Sequence, residues 1–186
     1  LELQFNSGDR IQYSWNPNFE QLFEPFEIRD DVSIPVGRYW TGMHRINAFT
    51  SGSRPFSVRL DLETGGFYSG TRKQAGVDLS WRKNSHLSTT VNVEQNWVRL
   101  KEGSFNARLF GYRLDYSFTP LISLSSFIQY DSDSENIGMQ SRLRWILKPG
   151  NEFYVVINHA WQEDMFNRFV NYQTKARVKL NYTFRF

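Results

Sequence analysis

Cysteine is absent from this 186-residue sequence. Its absence excludes disulfide bonds, thiolate metal sites and a cysteine nucleophile. Long apolar runs are also missing: no stretch reaches the roughly 18 apolar residues of a membrane-spanning helix, and the mean hydropathy is -0.54. The chain is therefore not a helical membrane protein. A transmembrane β-barrel stays compatible with this composition, because every second residue of its strands faces a polar lumen.

Charge gives no sign of a nucleic-acid partner. The formal net charge is +3, and the charged residues are spread along the chain, whereas a nucleic-acid-binding surface would form a basic stripe. The three histidines, His44, His86 and His159, lack the spacing of a metal-ligand set. The acidic segment 131–135 lacks the glycine and bidentate glutamate of a calcium loop, and we interpret it as a solvated turn. We expect no metal and no other cofactor.

What the sequence has instead is alternation. Residues 170–186 place mostly apolar or aromatic side chains at even positions and polar or charged ones at odd positions. A period of two is that of a β-strand, whose successive side chains point to opposite faces. The stretch is much longer than the usual strand of about 5–6 residues. Such length is typical of tilted strands that cross a membrane.

Turn signals rich in Gly, Asn, Asp and Pro recur along the whole chain. Between them the alternation predicts eleven strands, at 1–6, 9–20, 38–50, 55–67, 71–82, 87–100, 104–118, 121–131, 136–148, 152–163 and 170–186. The segment 21–37 contains two prolines and is predicted to be a long extracellular loop or insert. The predicted fold class is all-β: an antiparallel transmembrane up-and-down β-barrel of the outer-membrane type. About 10–12 strands would be visible in one domain over residues 1–186.

A soluble sandwich or lipocalin-like barrel is the alternative fold. Long strands, uniformly polar second faces and aromatic residues near strand ends, such as Trp40, Trp81 and Trp145, favour the membrane barrel. The strand 104–118 interrupts the pattern, because its apolar residues change face at Leu109–Phe110. A β-bulge, or a section standing above the membrane, would explain this change.

The aromatic end of the chain has a physical reason in such a barrel. A closed barrel leaves no strand edge in lipid, so its last strand must pair on both sides. We expect Tyr182, Phe184 and Phe186 to form an assembly signal that the barrel-assembly machinery reads, with the C-terminus in the periplasm. Because the chain enters at Leu1 with an alternating stretch, we expect it to be the C-terminal part of a longer protein.

The polar faces of the predicted strands carry charges of both signs, and we expect them to line the lumen. The candidates are Arg59, Asp61, Arg72, Asp78, Glu94, Arg142, Arg144, Lys175, Arg177 and Lys179. One interpretation is a wall of ion pairs, and the other is a basic constriction that passes anions. We favour ion-paired packing with a mildly anion-attracting surface.

Two of these residues, Arg142 and Arg144, point to the same face about 7 Å apart. Their neighbouring strands offer few acids, with Glu152 near one end. We therefore expect the partners of these arginines to come from across the lumen, where Glu94 and Asp78 are available together with Asp61, or from a bound anion.

Several motifs resemble a known family. They are IPVGRYW at 34–40, GGFYSGTR at 65–72, SFIQYDSDSENIGMQSRLRWILKPGNEFYVVIN at 126–158 and KLNYTFRF at 179–186. They are similar to the C-terminal barrel of a large family of outer-membrane proteins of unknown function. In that family a module similar to family-nine carbohydrate-binding domains precedes the barrel. The resemblance implies a module upstream of this chain and carries over no site residues.

Catalytic arrangements are weak. His86 and Ser88 share a strand face, as a barrel phospholipase would need a histidine and a serine to do, and His159 lies near Glu163 and Asp164, as in a barrel protease. Both patterns are short enough to arise by chance. We expect no enzyme activity.

The sequence therefore predicts a bacterial outer-membrane barrel with a transport or envelope role, in which carbohydrate handling would depend on the upstream module. The alternative is a barrel that serves as an anchor or structural subunit of a larger surface complex. We expect outer-membrane lipid, lipopolysaccharide and other outer-membrane proteins as partners, and no nucleic acid.

Overall fold

The computed structural model describes residues 1–184, which form β-strands joined by turns. The strands are β1 (Glu2–Gln4), β2 (Arg10–Leu22), β3 (Phe26–Arg29), β4 (Val32–Ile34), β5 (Gly37–Phe49), β6 (Phe56–Phe67), β7 (Gly70–Arg82), β8 (Leu87–Arg99), β9 (Ser104–Thr119), β10 (Ile122–Asp131), β11 (Asn136–Lys148), β12 (Asn151–Glu163) and β13 (Phe169–Asn181). Within this part of the chain no helix is long and apolar enough to cross a membrane.

Within residues 1–184, eleven strands form one sheet in the order β1-β2-β5-β6-β7-β8-β9-β10-β11-β12-β13, and β3 pairs with β4 separately. Each strand of the large sheet neighbours the next one along the chain, except that β2 pairs with β5 across the inserted β3–β4 hairpin. The predicted fold class is confirmed, because the chain is all-β, antiparallel and up-and-down, as in an outer-membrane β-barrel.

The insert and the two terminal strands differ from the prediction. The segment 21–37 is more ordered than a loop, because β3 and β4 form a hairpin inside it. The opening strand is shorter than 1–6 and covers only Glu2–Gln4. The last strand ends at Asn181 rather than running on toward the C-terminus, and residues 182–184 lie outside it.

The structure of β9 explains why the apolar residues change from one strand face to the other within 104–118. Its register with β10 is unbroken from Leu109, opposite Asp131, to Ser117, opposite Ser123, so no bulge lies in this stretch. Phe105 packs against a buried apolar cluster. The apolar residues change face because the surroundings of the strand change along its length, not because the backbone is irregular.

Two sets of residues form compact units. The first contains residues 1–53, 57–78 and 93–108, and the second contains residues 54–56, 79–92 and 109–186. Every buried hydrophobic side chain of the described residues belongs to the first unit: Val32, Ile34, Val98 and Leu100. The inserted hairpin supplies two of them and β8 with its following turn supplies the others.

The second unit has no such core within its described residues, and its strands are two-faced. In β11, Leu143, Trp145 and Leu147 are exposed hydrophobic residues, and they alternate with Arg142 and Arg144 on the other face. A regular row of exposed apolar side chains marks a surface that another apolar medium covers. This alternation is the pattern of a membrane-crossing strand.

Candidate functional site: the polar face of the strands

A buried carboxylate is the most enclosed polar group of the first unit. Glu63 on β6 has a side chain that is 3% exposed. Arg45 on β5 donates from Nε to Glu63 Oε1, since these two residues are opposite each other in the register. Arg72 on β7 donates from Nη2 to Glu63 Oε2 at 2.7 Å. One carboxylate is thus neutralised by a guanidinium on each side, as burial of a charge requires.

The other predicted acids of the first unit have local partners. Arg59 lies 3.9 Å from Asp78, from Nη1 to Oδ2. Asn47, with its amide oriented to satisfy its hydrogen bonds, donates to both oxygens of Asp61 at 2.8 and 2.9 Å. Asn96 Nδ2 donates to Glu94 Oε1 at 2.7 Å. These four acids therefore all have short-range partners: arginines for Glu63 and Asp78, and neutral amides for Asp61 and Glu94.

The inserted hairpin covers part of the first unit. Ile34 of β4 is fully buried, and Tyr39 and Phe67 pack against its cluster. Tyr39 shares a strand face with Arg45, and Phe67 shares one with Glu63, since each pair is separated by an even number of residues. The hairpin therefore packs on the polar face of these strands.

A tyrosine and a carboxylate border this cluster. Tyr68, in the turn after β6, donates to Glu20 Oε1 at 3.2 Å. Burial raises the pKa of Tyr68, and the nearby Glu20 carboxylate raises it further by its charge and hydrogen bond. The Tyr68 hydroxyl thus stays protonated and holds the turn to β2.

Basic residues dominate the polar face of the second unit. The registers align one row as Asp115, Ser125, Arg142, Val156 and Arg177. A second row reads Ser117, Ser123, Arg144, Tyr154 and Lys179. A third row reads Arg113, Phe127, Gln140, Asn158 and Lys175. Two strand spacings separate the β11 cation from the β13 cation in the first two rows, or about 10 Å.

The partner of Arg144 corrects the sequence-based expectation. Arg144 Nη2 donates to Glu152 Oε1 on the adjacent strand β12, and Tyr154 donates its hydroxyl to Glu152 Oε2. The expected partners Asp61, Asp78 and Glu94 are engaged by Asn47, Arg59 and Asn96 instead. The expectation of a partner from across the lumen is wrong because Glu152 lies opposite Ile146, within reach of the neighbouring strand.

Four other basic residues of the second unit have no such partner. Within residues 1–184, no ion pair or hydrogen bond holds the side chains of Arg142, Lys175, Arg177 and Lys179. All four are exposed. The second unit therefore presents uncompensated positive charge, in contrast to the paired face of the first unit.

The residues that suggested catalysis are not assembled into a catalytic group. His86 Nδ1 lies 2.7 Å from the Ser117 carbonyl oxygen. The other histidine, His159, lies 2.7 Å from Thr174 Oγ1 and packs on the Trp161 ring. Asp164 is bonded to Arg168.

The turn after β12 is closed by the same aspartate. Asp164 Oδ1 accepts from the backbone N–H groups of Phe166 and Arg168, at 2.8 and 3.0 Å. Desolvation opposes ionisation of this carboxyl, but the hydrogen bonds from the Arg168 backbone and side chain and from Phe166 lower its pKa overall.

The acidic segment after β10 is a turn that is also bonded to β12, because Gln162 Nε2 donates to the Ser134 carbonyl oxygen at 2.8 Å. Asp131 accepts from the backbone of Asp133 at 2.9 Å and from the hydroxyl of Ser134 at 3.0 Å. Over residues 1–184 no three His, Asp or Glu side chains are grouped to hold a metal ion.

The end of the chain is anchored on the turn before β12. The Thr183 backbone N–H donates to Asn151 Oδ1 at 2.8 Å, and Thr183 Oγ1 donates to the Gly150 carbonyl at 2.8 Å. Tyr182 and Phe184 form an edge-to-face pair, and both are exposed. The third member of the predicted assembly signal, Phe186, lies outside the described residues.

Arg45 was not identified from the sequence as a partner of Glu63. It lies two residues before Asn47 on the polar face of β5, so the period-two pattern of 38–50 contained the signal. What the sequence does not contain is the register that places Arg45 opposite Glu63.

Comparison with known proteins gives only distant likenesses. No family model matches the chain, and no curated protein matches it. Among solved structures, it is similar to the NanC porin in a rhombohedral crystal form, with 12% identity and a TM-score of 0.45, over 98% of this chain and 97% of the other. It is also similar to the KdgM porin in complex with disordered oligogalacturonate, with 13% identity and a TM-score of 0.43, over 100% of this chain and 90% of the other.

Proposed function

We propose that this chain forms a channel in the bacterial outer membrane that conducts small anionic solutes along the polar face of its strands. The observation that carries the proposal is the set of four uncompensated cations, Arg142, Lys175, Arg177 and Lys179. Cations that line a water-filled path lower the energy of an anion in it and raise that of a cation.

The neighbours of these cations fit a hydrated, hydrogen-bonding solute. Ser125 lies opposite Arg142, and Asn158 lies opposite Lys175. Gln140 donates to Asn158 Oδ1 at 2.9 Å. Amides and hydroxyls next to a positive charge suit an anion that also carries hydroxyl groups, such as an acidic sugar.

The channel has a proposed orientation. The C-terminus lies in the periplasm and the segment 21–37 lies outside, so the inserted hairpin packs at the outer opening. Assembly depends on the final strand, through Tyr182, Phe184 and Phe186, and on the barrel-assembly machinery. The resemblance to the family with an upstream carbohydrate-binding module stays a prediction, as does the absence of enzyme activity.

Planar-bilayer recordings under a KCl gradient test the conduction of anions. The variant Lys175→Gln/Arg177→Gln/Lys179→Gln removes the basic face of β13. We expect its anion-to-cation permeability ratio to fall about threefold or more, since each lost charge removes an attraction of roughly 1 kcal/mol or less in a wet lumen. The matched control Lys83→Gln/Lys101→Gln/Lys148→Gln removes the same charge from turns and strand ends, and should keep the native ratio.

The alternative is an anchor or structural subunit without a pore, and the packing of the hairpin on the polar face favours it. An ungated, steady conductance of the native protein would exclude this alternative. Absence of any conductance from correctly folded protein, judged by its mobility on unheated gels, would reject the channel.

A further inference from the structure

The apolar face of β7 and β8 carries two cations where lipid-facing strands carry hydrophobic side chains. Lys73 on β7 and Arg99 at the end of β8 are both exposed. The sequence neighbours of these two cations point to the polar face: Arg72, next to Lys73, binds Glu63, and Val98 and Leu100, on either side of Arg99, are buried. Lys73 and Arg99 therefore lie on the face opposite the polar one.

These cations line a shared recess. Thr71, Lys73, Trp97 and Arg99 enclose a groove of about 430 Å³ within the first unit. The two strands approach closely there, since a Cβ atom at Gly70 would lie 2.0 Å from the Arg99 carbonyl oxygen. Glycine at position 70 thus allows β7 and β8 to pack side by side at the groove.

Within the described part of the chain, no carboxylate pairs with either cation of the groove. Among residues 1–184 neither Lys73 nor Arg99 makes an ion pair or a side-chain hydrogen bond. On the next strand, Arg108 donates from Nε to Gln95 Oε1 at 2.9 Å. Unpaired cations are costly in the hydrocarbon centre and tolerated at the headgroup level. Their place at the ends of β7 and β8, beside an exposed tryptophan, is that of the headgroup level.

We propose that this groove binds the phosphorylated sugar headgroup of a membrane glycolipid of the lipid A type. Arg99 and Lys73 supply a guanidinium and an ammonium for phosphate oxygens, and Thr71 supplies a hydroxyl. The indole of Trp97, 41% exposed between them, offers a flat apolar surface for the C–H face of a sugar ring. A glycerol headgroup has no ring to use that surface, so the groove prefers the glycolipid to a phospholipid.

Binding to delipidated, detergent-solubilised full chain tests the assignment by native mass spectrometry. The probes are bisphosphorylated lipid A, its dephosphorylated form and phosphatidylglycerol. We expect lipid A to bind Lys73→Gln/Arg99→Gln about tenfold more weakly than the native chain, because two charge-assisted contacts are lost. The control Lys83→Gln/Lys148→Gln, which removes two lysines elsewhere, should bind as the native chain does. Dephosphorylated lipid A should bind native chain and variant equally.

A second variant, Trp97→Ala, distinguishes the contribution of the sugar ring to binding from that of the phosphate groups. It should lose the preference for lipid A over phosphatidylglycerol while keeping an affinity for both. Equal lipid A affinity of the native chain and Lys73→Gln/Arg99→Gln would overturn the proposal. Native chain that binds phosphatidylglycerol as tightly as lipid A would overturn the assignment to a glycolipid. Neither result depends on whether the chain conducts ions.

Discussion

Arg144 on β11 and Glu152 on β12 form an ion pair between adjacent strands, and the hydroxyl of Tyr154 donates to the same carboxylate. Arg142, on the same strand face, has no such partner within residues 1–184. The two arginines, two residues apart, thus have different roles. Arg144 links β11 to β12 through an ion pair, whereas Arg142 forms no ion pair within residues 1–184.

Replacement of these arginines should separate the two roles. Arg144→Ala should lower the thermal unfolding temperature, because it leaves Glu152 without its cation. Arg142→Ala should leave that temperature nearly unchanged. Thermal unfolding in detergent, followed by circular dichroism, measures both. In Arg144→Ala/Glu152→Ala the loss should be smaller than the sum of the two single losses, and strict additivity would show that the pair contributes nothing.

The Glu63 cluster should respond to loss of its carboxylate. Glu63→Gln leaves Arg45 and Arg72 facing each other without an anion, and we expect a destabilisation of about 1–3 kcal/mol, reduced from a fully buried pair because Arg45 is partly exposed. Urea unfolding in lipid vesicles gives the free energy. Asp61→Asn is the matched control, since Asp61 pairs with a neutral amide. Equal losses of unfolding free energy in Glu63→Gln and Asp61→Asn would mean that the two ion pairs of Glu63 stabilise the fold no more than the Asp61–Asn47 hydrogen bonds do.

The packing of the inserted hairpin is tested at Ile34. Ile34→Ala removes a fully buried side chain and should cost about 2–4 kcal/mol of local stability. Trypsin should then cleave after Arg29 faster than in the native chain. Val36→Ala, at a position that is 56% exposed, should leave the cleavage rate unchanged. If the hairpin narrows a pore, Ile34→Ala should also raise conductance.

Asn151 should hold the end of the chain. Asn151→Ala removes the acceptor of the Thr183 N–H, which should cost about 1–3 kcal/mol locally and speed hydrogen exchange at the Thr183 amide. Asn151→Asp keeps an oxygen acceptor and should preserve slow exchange there. Fast exchange in both variants would mean that the Oδ1 acceptor of residue 151 does not by itself protect the Thr183 amide.

The turn after β12 should depend on pH. The pKa of Asp164 is lowered from 3.8 in the folded chain by its hydrogen bonds from Arg168 and Phe166, despite desolvation. Its stabilising contribution is therefore present above about pH 3.8 and lost as the pH falls through the lower, folded-state pKa. Hydrogen exchange at the Phe166 and Arg168 amides should accelerate as the pH falls through the folded-state pKa of Asp164. In Asp164→Asn this acceleration should be absent.

Period-two alternation was sufficient to predict the eleven strands of the large sheet and the residues that share a face, because side-chain direction in a strand is a local property. It placed Arg142 with Arg144 and the exposed hydrophobic residues opposite them. It was not sufficient to predict partners. Whether Arg144 meets Glu152 or a distant acid depends on strand register, which the turns determine.

The hairpin in 21–37 and Phe105 escaped prediction for a related reason. Strands as short as β3 and β4 carry little periodic signal, and the two prolines favoured a loop. Phe105 has the polarity of a membrane-facing residue, yet it packs against a cluster that includes Ile34 from the distant insert. Burial by a remote segment is invisible to a pattern that compares only near neighbours in sequence.

The insertion of β3 and β4 between β2 and β5 has a consequence for the order in which the strands come together. Most neighbouring strands are joined by tight turns, as between Lys148 and Asn151, and so can meet with a small loss of loop entropy. The pairing of β2 with β5 must close the longer connection from Leu22 to Gly37. Formation of the inner hairpin first would shorten that connection, so we expect β2 and β5 to pair faster once the hairpin has formed.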